Sequence, residues 1–298
     1  MLIDAASLIY RALYSSPDTI KADDGTPMNA AYGFLSMLAR LIADRDPDYI
    51  CCAEDTNWRP EWRVALLEGY KSHRAEEGSQ QEEAEAKLAP QIPVIAAVLR
   101  ACRIPAVGHP DYEAEDVIGT LAERAPGATE IVSGDRDLFQ VVKDPDITVL
   151  YPKRGVSEMH RVDEAYIEAN YDIPGRAYRD FAVLRGDPSD GLPGVRGVGP
   201  KLASSLIRRY GSIDGIIAAI EGGEDSVVLA KVRRDLDYVK RAAQVVAIPT
   251  DLPIADVDLT RPREAPDPRI LSLAEKHGVA GPVRRLTAAL TTGSIEGA

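Results

Sequence analysis

The 298-residue sequence predicts an α/β fold with a mainly parallel, twisted central sheet flanked by helices. Two observations carry that expectation. Over residues 1–150, short apolar runs of strand type alternate with helical stretches, the rhythm of βαβ units. The hydrophobic content is 45%, enough for a sizeable core built as one large α/β domain or as one domain with a small appendage. Taken in order, Leu2–Asp4 reads as a strand, Ala30–Ala43 as a helix and Tyr49–Ala53 as a strand. A helix over Pro90–Ala101, a strand near Ile104–Val107, a helix over Asp111–Arg124 and strands at Glu130–Val132 and Ile147–Tyr151 follow.

Residues 57–89 break the rhythm. They carry polar helix formers, two Trp early and no apolar stripe wide enough to bury a face, so they are expected to project as an arch or lid. After Tyr166 the chain turns helical, with a glycine-rich turn over Leu184–Gly199 between two helices. The second of these runs from Pro200, a favourable first helical residue, to Tyr210 before Gly211. A Pro/Asp-rich connection leads to two further helices, Pro268–His277 and Gly281–Leu290, expected to pack back on the core. The expected organisation is a core over 1–175 containing the arch, a helical hairpin region over 176–250 and a C-terminal helical segment over 251–298.

Composition excludes several classes. No run of 18 apolar residues offers a membrane span, and the strand pattern begins at Leu2 without room for a signal peptide, so a cytoplasmic protein is expected. Cys51 and Cys52 lie in an apolar strand and Cys102 stands alone, which fits buried thiols rather than zinc or redox work. The net charge of −12 argues against a nucleic-acid partner until its distribution is considered. Between Arg176 and Arg209 stand seven Lys/Arg against three acids, whereas Glu76, Glu77, Glu82, Glu83 and Glu85 form an acidic run that reads as a solvated helix face.

The acids are the informative residues. Asp4, Asp55 and Asp135 each stand at or just past the end of a strand-like run, the sheet edge where open α/β folds bind ligands. Glu113, Glu115 and Asp116 crowd the opening of a helix, where the dipole alone would favour them. Asp135 and Asp137, then Asp187 and Asp190, add two pairs at turns. Two such charges about 4 Å apart repel by roughly 4 kcal/mol at an effective dielectric near 20, so protons or cations must enter. Divalent metal is the simpler answer. All-oxygen ligands suit hard cations, and the four histidines show no metal-binding spacing.

Two basic features accompany them. Lys71 and Arg74, three apart at the base of the expected arch, share a face and suit a reacting phosphate, although cations on an exposed helix are also ordinary. The run Gly194-Val195-Arg196-Gly197-Val198-Gly199-Pro200-Lys201 is neither a P-loop nor a dinucleotide fingerprint. It reads either as a plain helix-helix turn or as a helix-hairpin-helix, whose backbone N–H groups hold a DNA phosphate without reading sequence.

Together these segments resemble the bacterial and phage 5′-nuclease family, which comprises flap endonucleases and the 5′-exonuclease domain of DNA polymerase I. The resemblance spans roughly residues 1–250. It rests on Leu2-Ile3-Asp4, Asp55 with Arg63, Tyr70-Lys71-x-x-Arg74, Tyr112 to Asp116, Asp135-Arg136-Asp137-Leu138 and Gly186-Asp187 through Lys201. It implies a PIN-like 5′-nuclease fold with a helical arch, here as a stand-alone nuclease without a polymerase domain. It further implies that Asp4, Asp55, Glu113 and Glu115 hold one Mg²⁺ or Mn²⁺. Glu115 or Asp116, with Asp135, Asp137, Asp187 and Asp190, would hold the second and any third. Asp4 and Asp135 join Lys71 and Arg74 as the catalytic set, the basic pair facing the phosphate. DNA contacts fall to Arg63, Tyr70, Gly194, Gly197, Gly199 and Lys201, with a monovalent cation such as K⁺ on hairpin carbonyls.

The implied substrate is DNA with a 5′ flap or 5′ end, RNA-containing ends included, cut by a monomer that has no membrane role; polymerase or ligase partners are not specified. Two positions depart from the family pattern: Glu115 stands where Asp is usual, and Gly191 where Asn is usual. The competing readings are a catalytically silent DNA-junction binder and a metal-dependent ribonuclease on a similar fold.

Overall fold

The computed structural model describes residues 1–291, so residues 292–298 of the expected C-terminal segment lie outside the described residues. The strands β1 (Leu2–Asp4), β2 (Cys51–Ala53), β3 (Ala106–Val107), β4 (Thr129–Val132), β5 (Ile147–Pro152) and β6 (Met159–Val162) form one sheet. Their order is β3-β2-β1-β4-β5-β6. Every neighbouring pair is parallel except β5–β6, which is antiparallel with Val149 opposite Val162. The central strands are covered on both faces, which is why Leu2-Ile3, Cys51-Cys52 and Ile131-Val132 are consecutive apolar residues, all buried. The sequence reading lacked β6. It is only four residues long with Val162 alone buried, and pairing with β5 rather than an apolar face of its own makes it a strand.

Fourteen helices surround the sheet within the described residues. The first half holds α1 (Ala5–Ser15), α2 (Asn29–Arg45), α3 (Glu61–Leu66), α4 (Gln80–Leu88), α5 (Ile92–Ala101) and α6 (Ala114–Arg124). The second holds α7 (Glu164–Tyr171), α8 (Tyr178–Arg185), α9 (Pro200–Tyr210), α10 (Ile213–Glu221), α11 (Val227–Arg234), α12 (Leu236–Val245), α13 (Arg269–Lys276) and α14 (Ala280–Thr291). One apolar cluster joins one sheet face to α6 and the helices from α7 to α12; the other joins the opposite face to α1, α2, α4, α5, α13 and α14. In that second cluster Val283, Leu286 and Leu290 of α14 lie with Phe34 and Leu38 of α2. Among the described residues no helix is long and apolar enough to cross a membrane.

Three local differences from the sequence reading matter for the site. The chain enters α1 directly from β1, because the Asp4 carboxylate accepts the Ser7 N–H at 2.9 Å and so serves as both strand end and N-cap. Helix α6 starts at Ala114 rather than Asp111: Glu113 is its extended N-cap, and the Asp116 side chain returns to the Glu113 N–H at 3.0 Å in a capping box. Residues 57–89 pack more closely than their polar sequence suggests. Ala84 and Leu88 seat α4 in the core while Glu82, Glu83 and Glu85 face solvent, and α3 lies against α12. The two buried positions are four apart, enough to hold one face of a short helix.

Candidate active site

The strand order reverses between β1 and β4, and the crevice outside their carboxyl ends is where a doubly wound sheet binds ligands. Asp4, at the end of β1, is buried, and its second oxygen accepts from the Ser133 hydroxyl at the end of β4. The same hydroxyl accepts the Asp135 N–H at 2.9 Å, and Asp135 in turn accepts the Asp137 N–H at 2.8 Å. The Gly134 N–H is fixed by Ser7 Oγ at 3.0 Å. Ser7 in the first turn of α1 and Ser133 just past β4 therefore set the turn that aims Asp135 and Asp137. Sequence reasoning passed over both serines, although Asp4-x-x-Ser7 and Ser133-Gly134-Asp135 are capping and turn signals.

Against this edge stands the start of α6. Glu113 is fully buried; one of its oxygens accepts from Arg63 Nη1 at 2.6 Å and from the Tyr70 hydroxyl at 2.6 Å, and the other accepts from Lys71 Nζ. Arg63 also donates to Asp116 at 2.7 Å and to Glu115 at 3.3 Å. Arg63 is 1% exposed and Tyr70 3%. Both were expected to contact DNA, and here both are turned inward, because two carboxylates desolvated by α6 draw the nearest donors to themselves. Asp116 belongs to the same network: it is 0% exposed, with one oxygen on Arg63 and the other on the Glu113 N–H, and so serves as a cap and ion-pair partner.

The third group comes from the turn after α8. Asp187 caps a short 3₁₀ turn, accepting the Ser189 N–H at 3.0 Å and Arg185 Nη2 at 3.0 Å. Asp190 lies 3.3 Å from Arg74 Nη2 and 4.0 Å from Lys71 Nζ. The backbone joins in, since the Lys71 N–H donates to the Asp190 carbonyl at 2.9 Å. Gly191 makes that approach possible: its φ is +72°, and a Cβ there would lie 2.2 Å from the Gly69 carbonyl oxygen. Gly191, which stands where Asn is usual, is thus what allows the 69–71 and 190–191 segments to touch.

Burial, then the charge of Glu113, pushes Asp55 up to about 7, even though its side chain stands at the exposed rim of the crevice. Burial and Asp190 push Asp135 up to about 6. Burial also raises Asp4, and burial with Asp135 raises Asp137 far more. Glu115 is raised strongly by burial and by Glu113. Among the described residues no three Asp, Glu, His or Cys side chains converge as a ready-made cation cage. The reason is visible in Glu113, whose oxygens are spent on Arg63, Tyr70 and Lys71. The donor chemistry still fits a divalent cation. Every candidate is a hard oxygen, and carboxylates pushed towards neutrality by burial and then by neighbouring acids are stabilised as anions when positive charge arrives.

The hairpin divides into outward and inward residues. Gly197, Gly199 and Lys201 are exposed, and the N–H groups of Gly197 and Gly199 have no protein acceptor among the described residues. Gly194 does not belong with them. It is buried, its N–H donates to the Tyr238 hydroxyl at 3.0 Å, and a Cβ there would strike the Arg185 carbonyl at 2.5 Å, so it is a packing glycine and not a DNA contact. The Arg196 and Gly197 carbonyls accept from Arg234 and Lys231, each at 2.9 Å.

Comparison with known proteins agrees with this arrangement. Residues 1–172 match the family described as 5′-3′ exonuclease, N-terminal resolvase-like domain, and residues 173–267 match 5′-3′ exonuclease, C-terminal SAM fold. The chain belongs to the 5′-3′ exonuclease family. It is 43% identical to a 5′-3′ exonuclease of Streptomyces coelicolor over 98% of this chain and 100% of that one. It is 39% identical to DNA polymerase I of Mycobacterium bovis over 86% of this chain but only 28% of the polymerase. A bacteriophage T5 flap endonuclease, solved in a pseudo-enzyme-product complex with DNA and metal ions, shares the fold with a TM-score of 0.66 at 15% identity, covering 97% of both chains.

Proposed function

We propose that this chain, a structure-specific 5′ nuclease by family, hydrolyses phosphodiester bonds of DNA at 5′ flaps or 5′ ends with divalent cations, Mg²⁺ or Mn²⁺. One observation carries the reading: at the carboxyl edge of a parallel sheet the Lys71 ammonium bonds Glu113 and lies 4.0 Å from Asp190, and burial, then the charges of Glu113 and Asp190, raises Asp55 and Asp135 beside it. Asp4, Asp55, Glu113 and Glu115 would hold one cation, and Asp135, Asp137, Asp187 and Asp190 the other. When bound, such cations make water a better nucleophile and offset charge on the phosphate and leaving oxygen.

The chain's own residues do the rest. Ser133 holds Asp4 and Asp135 in register across the strand ends. Lys71 and Arg74 both approach the same Asp190 carboxylate oxygen, placed to take a phosphate oxygen once Lys71 leaves Glu113, and their charges favour the extra negative charge of the transition state. The exposed N–H groups of Gly197 and Gly199, with Lys201, hold the duplex backbone without reading its sequence. A K⁺ ion on the hairpin would use carbonyls other than those of Arg196 and Gly197, which Arg234 and Lys231 occupy. The proposed protein is cytoplasmic and monomeric, and its substrates extend to RNA-containing 5′ ends.

The test is a 5′-labelled single-flap duplex beside a matched blunt duplex, incubated with Mg²⁺, Mn²⁺ or EDTA and mapped at nucleotide resolution. Metal-dependent cuts near the junction that vanish in Asp135→Asn are expected. Tight junction binding with no cut under any metal would make the chain a silent junction binder.

A further inference from the structure

We propose that Arg63 is a positioning residue which, with α12, couples duplex contact at the hairpin to the arrangement of the acids at the start of α6. The proposal rests on the nuclease reading above and adds a role that neither DNA contact nor cation binding supplies.

The physical link is continuous. At one end of α12, Asp235 Oδ2 accepts the Arg196 N–H of the hairpin at 3.0 Å. One turn further on, the Tyr238 hydroxyl accepts the Gly194 N–H at 3.0 Å and donates to the Val183 carbonyl of α8 at 3.2 Å. Ten residues of helix span about 15 Å. At the far end the Val245 carbonyl, one of those a helix C-terminus leaves unsatisfied, accepts from Arg63 Nε at 3.0 Å. The other nitrogens of that planar group hold Glu113, Glu115 and Asp116. Arg241 of α12 adds a second staple, donating to the Leu66 carbonyl at the end of α3 at 3.0 Å.

Arg63 therefore cannot follow α12 without moving carboxylates. Its guanidinium is rigid, and all its polar contacts lie on one plane. A shift of α12 caused by a phosphate on the hairpin reaches Glu113 and Glu115 through one side chain, and a cation drawing on those acids pulls back on α12. Coupling of this kind is reciprocal, so it can be read from either side.

Arg63→Lys keeps the charge and removes the fork. A lysine ammonium is a point charge that cannot hold Val245 and three carboxylates at once, so long-range electrostatics are unchanged while the link is cut. The measurement is the affinity of a fluorescent flap duplex by anisotropy, in Ca²⁺ and in EDTA at constant ionic strength, with the DNA-free Mn²⁺ affinity measured by calorimetry. In the wild type Ca²⁺ is expected to tighten duplex binding about tenfold, within the usual range for coupled sites. In Arg63→Lys the gain is expected to fall below twofold, with duplex affinity in EDTA within threefold of wild type and the DNA-free Mn²⁺ measurement confirming that the variant still binds metal.

Tyr238→Phe combined with Asp235→Ala removes both side-chain acceptors at the hairpin end and should lose the gain in the same way, which keeps the test decisive if Arg63→Lys does not fold. A gain that survives in either folded variant overturns the proposal. So does an equal loss of affinity in EDTA and Ca²⁺, which would make Arg63 scaffold only, and so does a wild type showing no gain. The nuclease reading is decided separately, by metal-dependent cleavage in the wild type.

Discussion

The Ser133 hydroxyl donates to the Asp4 carboxylate across the point where the strand order reverses, tying the end of β1 to the end of β4. It also accepts the Asp135 N–H, so a single oxygen serves two of the proposed catalytic acids. Ser133→Ala leaves that N–H without its acceptor in a buried site, at a cost of about 1–3 kcal/mol. Cleavage should slow about 10- to 100-fold as Asp135 swings out of register. Urea unfolding of the metal-free variant and single-turnover cleavage at saturating metal check the two halves, and an unchanged rate would remove Ser133 from the site.

Lys71 is buried, bonded through its backbone to Asp190 and through its ammonium to Glu113. Lys71→Ala should lower the single-turnover rate by about 10²–10³-fold, the usual loss for one electrostatic donor aimed at a transition state. Flap affinity should change by much less. A loss confined to affinity would reduce Lys71 to a phosphate anchor.

Asp116 and Asp135 should fail in opposite ways. Asp116→Asn breaks a buried ion pair with Arg63 and is expected to cost about 3–5 kcal/mol of stability, with little loss of rate in the fraction that stays folded. Asp135→Asn should leave the fold intact and abolish cleavage while junction binding persists. Thermal melts run beside cleavage assays separate the two, and Asp116→Asn that folds normally but cannot cut would return Asp116 to the ligand set.

The crowded acids make stability depend on pH and metal together. Asp55 and Asp135 are held up to about 7 and about 6, so without metal the folded protein keeps protons that the unfolded chain releases from about pH 4 upward. Stability falls with pH wherever the folded state binds more protons, so the metal-free protein should lose stability as pH rises from about 4 to about 7. Mg²⁺ or Mn²⁺ should restore it, with the largest gain in Tm above pH 7 and little below pH 5. A metal-induced gain independent of pH would show that these carboxylates are not where the cation binds.

Gly191 adopts φ +72° with the Gly69 carbonyl in the space of its missing Cβ. Asn, usual at this position in the family, tolerates the backbone angle but carries the same Cβ. Gly191→Asn and Gly191→Ala should therefore both push the 69–71 turn away from Asp190, costing about 1–3 kcal/mol and lowering the rate through Lys71. If Asn proves neutral while Ala does not, backbone angle rather than the close approach decides this position.

The central strands were legible because parallel strands covered on both faces need runs such as Leu2-Ile3 and Ile131-Val132, and few other elements do. The acids were legible as candidates because carboxylates recur at strand ends and at a helix start, although Asp4, Asp116 and Asp187 also serve there as caps. Edge strand β6 was hidden, since its partner rather than its own apolar pattern makes it a strand. So was the seating of α4, whose two core residues are lost among glutamates.

By itself the sequence determined the order of the five strands β1 to β5, the chemistry of the donors and the two positions that depart from the family pattern. Only the tertiary structure decided which polar groups are already spent. Arg63, Tyr70 and Asp116 look like ligands or DNA contacts along the chain, yet they close on one another and on Glu113. Gly194 resembles Gly197 in sequence but is buried against Arg185 and Tyr238. The physical reason is that residue type fixes what a side chain can bond, whereas burial and the partners brought from 40 to 180 residues away fix what it does bond.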